Sequence, residues 1–229
     1  MAIYVWTGEP GSGKGIKLSI TTVKLIERNK KWHEKYKLPI RKVAINIKLS
    51  KLIEEENLKY IVYWEDPVQL LAMRGVDIVW DEIASYLDAT NWKNVDGRIR
   101  HFMRMHRHYG IDIYGATQDL PTVDISMRRL IKGVWRCNKL IGSPDVSETK
   151  PEVKHPWGII TVRKVQKQSW KKEAVDYKYS FFPDIIFITK KKVSAYDTTQ
   201  EIIAPAEYPP LKHIKRKCAD CGLEKISHI

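Results

Sequence analysis

The sequence predicts an α/β fold: a central, mostly parallel sheet flanked by helices, with a β-rich extension towards the C-terminus. Three observations carry that prediction. An apolar run at the start, Ile3 to Trp6, empties into a glycine-rich turn and then a helical pattern. A second apolar run, Val76 to Trp80, ends in two adjacent carboxylates. Beyond Gly142 apolar residues alternate with polar ones instead of recurring at helical spacing.

Length and composition bound the answer. A chain of 229 residues suits one α/β domain with a small appendage. We divide it into a core over residues 1–142, a β-rich extension of the same domain over 143–203, and a basic tail over 204–229. Eight Trp and 43% apolar residues are ordinary for a globular protein with a real core. The formal net charge of +13 is not ordinary. It favours a polyanionic partner, nucleic acid before an acidic membrane surface. No run approaches the ~18 apolar residues of a membrane span. Met1 leads straight into a core strand, so no signal peptide is expected. Three cysteines, odd in number, do not form a disulfide framework and point to a reducing compartment.

The first element is the stretch IYVWTGEPGSGKG. Gly8, Glu9, Pro10, Gly11, Ser12, Gly13, Lys14 and Gly15 spell G-x-x-x-x-G-K between a strand and a helix, the context a phosphate loop requires. Glycines let backbone N–H groups curl around phosphate oxygens, and the helix aims its positive end at the same anion. Lys14 adds a mobile charge for the β- and γ-phosphates. The usual next residue, Ser or Thr, would ligate Mg²⁺ through its hydroxyl; here it is Gly15, so a metal must lean on other groups.

Ile16 to Glu27 carries apolar residues at helical spacing and runs into a basic stretch, Arg28 to Lys42, with Trp32 inside it. Basic residues around an aromatic fit a nucleic-acid backbone; a solvated helix end fits equally. Lys42 to Ile47 reads as a second strand, Lys51 to Leu58 as a polar helix, Tyr60 to Trp64 as a short strand and Pro67 to Met73 as a turn or two of helix.

Val76 to Glu82 has the Walker B pattern. Asp81 is expected to hold Mg²⁺, and Glu82, facing the opposite way, to polarise an attacking water. Its place, about 65 residues beyond the phosphate loop, fits a sheet of this kind. A long helix from about Val95 to His108 follows, with Arg98, Arg100, Arg104 and Arg107 among three histidines. Those histidines lack the accompanying cysteines or carboxylates of a metal site and read as cationic surface. Ile111 to Ala116 is a further strand ending in Thr117 and Gln118. A polar side chain there senses the γ-phosphate if this strand lies between the first strand and the Walker B strand. A short helix, Ile125 to Ile131, leads to the strand Val134 to Leu140, expected to close the parallel core.

Ser143 to Pro156 reads as a loop, and Gly158 to Val165, Val175 to Phe182 and Asp184 to Thr189 as antiparallel strands. In the tail, Cys218 and Cys221 have zinc-knuckle spacing, which His213 and His228 would complete. A disordered basic tail with idle thiols is the other reading, and both stay open.

From the phosphate loop to the segment HRHYGIDIYGATQD, the chain resembles the zonula-occludens-toxin-like (Zot-like) family of filamentous-phage morphogenesis ATPases, within the wider FtsK/HerA group of DNA-pumping P-loop ATPases. The residues that carry this are Gly8 to Lys14, Asp81–Glu82, His106–Arg107–His108, Thr117–Gln118 and Lys190 to Thr198, over residues 1 to about 203. The resemblance implies a ring-forming homo-oligomer, a hexamer, that couples ATP hydrolysis to DNA movement in virion assembly. It implies ATP phosphates on Lys14 and the loop glycines, Mg²⁺ on Asp81, the water on Glu82 and the γ-phosphate beside Gln118. Arg107 sits where the family places an arginine that reaches the neighbouring subunit, with Arg104 and Arg128 as fallbacks. Many filamentous-phage relatives carry a transmembrane helix where this chain has a basic tail. That leaves room for a packaging motor, or for one docked on a capsid or membrane protein. The expected location is the host cytoplasm, at the inner membrane or with the virion. Gly15 favours a different class: a nucleotide-gated module that binds DNA or an assembly partner with little hydrolysis.

Overall fold

The computed structural model describes residues 1–47, 49, 55–90, 95–142, 158–166, 178–180, 182–188, 213–217 and 224–228. Strand β1 (Ile3–Thr7) passes through the loop 8–13 into helix α1 (Lys14–Tyr36). Strand β2 (Val43–Ile45) is next, then a 3-10 turn, Glu55–Tyr60, in place of the polar helix expected from Lys51. Strand β3 (Ile61–Tyr63), helix α2 (Pro67–Leu70) and strand β4 (Asp77–Trp80) follow. Helix α3 (Gly97–Met105) leads to strand β5 (Asp112–Thr117), and helix α4 (Ile125–Arg128) to strand β6 (Ile131–Gly142). Strands β7 (Gly158–Val165) and β8 (Asp184–Ile188) complete one sheet.

Its order is β3-β2-β4-β5-β1-β6-β7-β8. The first six strands are parallel and the last two antiparallel, so β6 closes the parallel core and passes directly into the extension. Parallel strands need crossovers that cover both faces. On one face α1 packs Ile16, Leu18, Leu25 and Ile26 against Trp6, Cys137, Ile160 and Val162. Tyr4, Trp6, Tyr114 and Trp135 form a contact ladder across three neighbouring strands there, with centroids 5.6 to 6.4 Å apart. On the other face Ile99, Phe102 and Met103 of α3 and Met127 of α4 cover Ile3, Val5, Ile78 and Ile113.

Helix α3 is shorter than the helix expected over Val95 to His108. Asp96 caps its start by accepting from the Arg98 amide, and a turn through Gly110, at φ 74°, reverses the chain into β5. The basic stretch after Glu27 also finds internal partners. Asp77, fully buried at the start of β4, accepts from Arg28 at 2.6 Å, Asn29 at 2.9 Å and Arg41 at 2.8 Å. Arg28 also lies over the Trp32 ring at 4.8 Å. These side chains fix the end of the sheet far from the phosphate loop, and Arg28 and Arg41 each spend part of their charge on Asp77.

The loop reading of Ser143 to Pro156 falls outside the described residues, as does Lys190 to Thr198. Of Val175 to Phe182, residues 178–180 run antiparallel to the end of β7, with Tyr179 opposite Val165. In the tail, β9 (His213–Lys217) and β10 (Glu224–His228) form a two-stranded antiparallel hairpin. Cys218 and Cys221, the zinc candidates, lie outside the described residues.

Candidate functional site

The loop between β1 and α1 turns tightly because its glycines take conformations other residues avoid. Gly11 and Gly13 lie at φ 72° and 90°. A Cβ on Gly8 would stand 2.4 Å from the Cys137 carbonyl oxygen, and one on Gly13 2.0 Å from Ile160 Cδ1. The loop is therefore pressed onto β6 and β7, and the extension forms its floor. Ser12 Oγ is buried and lies towards Gly8 on that floor side, so the Ser12 hydroxyl packs behind the loop.

Helix α1 begins at Lys14 with no side-chain cap and no acidic residue in its first turn. Its leading N–H groups are left for an anion from outside the helix. The Lys14 ammonium lies across the loop, donating to the carbonyls of Gly8 at 2.7 Å and Glu9 at 2.9 Å. Burial pulls its pKa below the usual lysine value, and the charges of Glu82 and then Asp81 oppose that pull.

The carboxylate pair lies just beyond the strand that leads to it. Strand β4 ends at Trp80, and Glu82 takes a left-handed conformation at φ 54°. Strand alternation therefore does not set where the Glu82 side chain goes, and the charges of both acids act on Lys14. Asn46, just past β2, clamps Asp81 from both sides. Its Oδ1 accepts from the Asp81 amide at 2.7 Å and its Nδ2 donates to the Asp81 carbonyl at 3.0 Å. Sequence reasoning passed over Asn46, whose only signal is a polar side chain at the mouth of a buried strand.

Strand β5 lies between β4 and β1, with Thr7 opposite Thr117. That order brings Gln118 to the loop, but through its main chain. The Gln118 carbonyl accepts from the Gly8 amide at 3.2 Å and the Thr7 hydroxyl at 3.1 Å. The Gln118 amide faces Glu82 Oε1 at 3.4 Å, and the Thr117 hydroxyl reaches the same oxygen at 3.5 Å. The Gln118 residue itself is exposed.

Arg107 is exposed in the turn before β5. Because β5 runs parallel to β1, that turn lies at the opposite end of the sheet from the phosphate loop of the same chain. Arg104 is exposed on α3, and Arg128 is buried in α4.

Two groups of fixed donors thus face two carboxylates at the C-terminal ends of β1, β4 and β5. Such a place can hold a phosphate chain on the loop, with Asp81 for a divalent cation that takes its other ligands from phosphate and water. The Ser19 hydroxyl, one turn beyond Gly15, donates to the Gly15 carbonyl at 3.0 Å and so does not stand in for the missing Ser or Thr. Among the described residues no group of three or more His, Cys, Asp or Glu is placed to hold a metal ion. No helix among them is long and apolar enough to cross a membrane.

The family model described as Zonular occludens toxin (Zot) matches residues 2–180. No curated protein matches the chain. Among solved structures, the N-terminal domain of zonular occludens toxin from Neisseria meningitidis is similar at 21% identity and a TM-score of 0.52, over 86% of this chain and 98% of that one. A genome packaging NTPase from Sulfolobus turreted icosahedral virus 2, in complex with ATP-gammaS, aligns at 13% identity and a TM-score of 0.45, over 78% and 96%. The flagellar accessory protein FlaH from Methanocaldococcus jannaschii aligns at 12% and 0.45, over 82% and 89%.

Proposed function

The chain belongs to the Zot family, and from that premise we propose that it is a phage or viral P-loop ATPase that couples ATP hydrolysis to DNA movement during virion assembly. One observation carries this reading: Lys14, Asp81, Glu82 and the Gln118 main chain converge on the glycine loop at one end of the parallel sheet.

In this reading the loop amides and Lys14 hold the β- and γ-phosphates. Lys14 exchanges one of its two loop carbonyls for a phosphate oxygen and regains in the exchange the charge stabilisation that burial withholds. Asp81 holds Mg²⁺, which when bound neutralises charge on the phosphates. Glu82 orients the attacking water and accepts its proton. The net charge of +13 supplies the attraction for DNA. Arg107 serves the phosphate site of the adjoining subunit, since it lies at the wrong end of the sheet to serve its own.

DNA-stimulated phosphate release tests the reading. Lys14→Ala is expected to lower turnover at least ~100-fold, the scale for removing one pre-organised charge from a transition state. Glu82→Gln is expected to keep nucleotide affinity and lose turnover. Equal release by the wild type and both variants would overturn it. Gly15 and the committed Ser19 hydroxyl favour a second reading, a nucleotide-gated DNA-binding module; tight ATP binding without turnover in an assembled oligomer would select it.

A further inference from the structure

Helix α1 is longer than the sheet it covers. Its 23 residues span about 34 Å, while the strand β1 beneath it spans about 17 Å. Asn29 is the last buried residue of the helix, and its amide donates to Asp77 at 2.9 Å. None of the residues from Lys30 to Tyr36 is buried. Packing against the sheet therefore gives no account of the two aromatic side chains in these last two turns. Trp32 is 44% exposed and Tyr36 56%. Four positions apart on a helix, they share a face.

The chain beyond the helix returns along these turns. Lys37 takes a left-handed conformation at φ 54°, and the His33 ring meets the Leu38 carbonyl at 2.6 Å. The Asn29 amide also donates to the Arg41 carbonyl at 3.1 Å. The turn 37–41 is thus tied to α1 near both its ends. It brings Leu38, 50% exposed, and Ile40, 37% exposed, to the same corner. Exposed apolar side chains at 32, 36, 38 and 40 form a patch, unlike the scattered singles of an ordinary surface. Lys31, Lys35, Lys37 and Lys42 are exposed around it, and Glu34 is the one acid between residues 28 and 42. Lys35 lies over the Tyr36 ring at 5.1 Å, so charge and apolar surface are interleaved.

We infer that this corner, the end of α1 with the turn 37–41, docks on an anionic lipid surface. Charge and composition together select that occupant. The ring of lysines calls for an anionic partner. Nucleic acid meets that condition, and its bases stack on aromatic rings, but Leu38 and Ile40 have no π face to offer them. A lipid interface uses all four side chains. Trp and Tyr settle at the level of the headgroups, aliphatic side chains enter the acyl boundary, and lysines reach the headgroup phosphates. The phosphate loop lies at the other end of α1, so a docked chain keeps it clear of the lipid. Docking needs no nucleotide and stands or falls apart from the ATPase reading.

Flotation of the full chain with lipid vesicles is the test. The wild type is expected to partition at least ~10-fold better onto vesicles of phosphatidylcholine mixed with phosphatidylglycerol than onto phosphatidylcholine alone, and raised salt should release it. Trp32→Ala combined with Leu38→Ala should weaken partitioning at least ~10-fold, and Lys31→Glu combined with Lys35→Glu at least as much. All four residues are exposed, and thermal melts show that the variants are folded. Brominated lipid should quench part of the tryptophan fluorescence of the wild type. Trp32→Phe should lose that quenching and still float, because the ring it keeps is apolar. No flotation, equal flotation with neutral vesicles, or unchanged flotation of either double variant would overturn the proposal. Flotation without quenching at Trp32 would overturn it too, since the net charge of +13 alone would then hold the chain on the lipid. If Lys31→Glu with Lys35→Glu lost affinity for an oligonucleotide while lipid partitioning stayed unchanged, the corner would belong to nucleic acid instead.

Discussion

The amide of Gly8 donates to the carbonyl of Gln118 at 3.2 Å, while the amide of Gln118 faces Glu82 Oε1 at 3.4 Å. One residue at the end of β5 thus ties the opening of the phosphate loop to a carboxylate beyond β4. This is possible only because β5 runs between β4 and β1. The strand order, not the Gln118 side chain, sets the spacing between loop and acid, and a change at the loop should be felt at Glu82.

The loop glycines are expected to differ in how far they tolerate a methyl group. An alanine Cβ at Gly8 meets main chain, the Cys137 carbonyl at 2.4 Å, which has nowhere to go. At Gly13 it meets the far end of the Ile160 side chain at 2.0 Å, at a φ of 90°. Gly8→Ala should therefore destabilise by ~1–3 kcal/mol with no rescue. Gly13→Ala should recover part of its loss when combined with Ile160→Ala, the residue of the loss being backbone strain. Urea melts of the two singles, Ile160→Ala and the double variant measure this. Strictly additive Gly13 and Ile160 losses would contradict the contact.

Asp77 is expected to matter for stability and not for nucleotide. Its carboxylate is fully buried and takes hydrogen bonds from Arg28, Asn29 and Arg41. Asp77→Ala leaves the partly buried Arg28 guanidinium without its carboxylate and Arg41 with Asp112 at 3.3 Å, and it strands the Asn29 amide, at a cost of ~2–4 kcal/mol. The site lies at the other end of β4, so affinity for an ATP analogue in the surviving folded protein should stay within ~2-fold, as for independent sites. Thermal melts and nucleotide titration of one preparation separate the two effects.

What could be read from the sequence follows from distance along the chain. The residues Gly8 to Lys14 are a local motif, and Asp81–Glu82 end a continuous apolar run, so both were legible. The strand order was legible as a condition on Gln118, since that residue joins the site only if β5 is central. The role of Arg28 was not. Its partner Asp77 is 49 residues away, and nothing local distinguishes an arginine paired across the fold from a solvated one. The turn at Glu82 escaped for a different reason: strand alternation predicts opposite faces as long as the strand continues, and it stops at Trp80.

Cys137 should be chemically silent in the native protein. It is fully buried beneath the loop, and burial pushes its thiol up to about 12, with Lys17 and Lys14 pulling weakly the other way. The native state therefore holds the proton that the unfolded chain releases near 9.0. That contribution to stability is complete below pH 9.0 and is lost as the pH rises towards about 12. The stability difference between the wild type and Cys137→Ala should be flat up to pH 9 and shrink above it. In a background with Cys218 and Cys221 replaced by Ser, a thiol reagent at pH 8 should react only on unfolding. Rapid reaction in the native state would show that the loop floor opens.

Asn46 offers the sharpest check on the catalytic arrangement, because it touches Asp81 only through main chain. Its amide group gives and receives at 3.0 and 2.7 Å, and it fixes where the Asp81 carboxylate starts from. Asn46→Ala removes both bonds and leaves the carboxylate itself intact. If Asp81 holds Mg²⁺, losing its support should raise the Mg²⁺ concentration needed for half-maximal binding of an ATP analogue by ~10–100-fold, the usual range for groups that orient a metal ligand. Nucleotide affinity at saturating Mg²⁺ should return close to that of the wild type, because the loop and Lys14 are untouched. Asn46→Asp should rescue little, since it keeps the acceptor for the Asp81 amide but sets a carboxylate against the Asp81 carbonyl. A half-saturation for Mg²⁺ unchanged in both variants would mean that Asp81 is not the metal's residue, and the search would pass to Glu82.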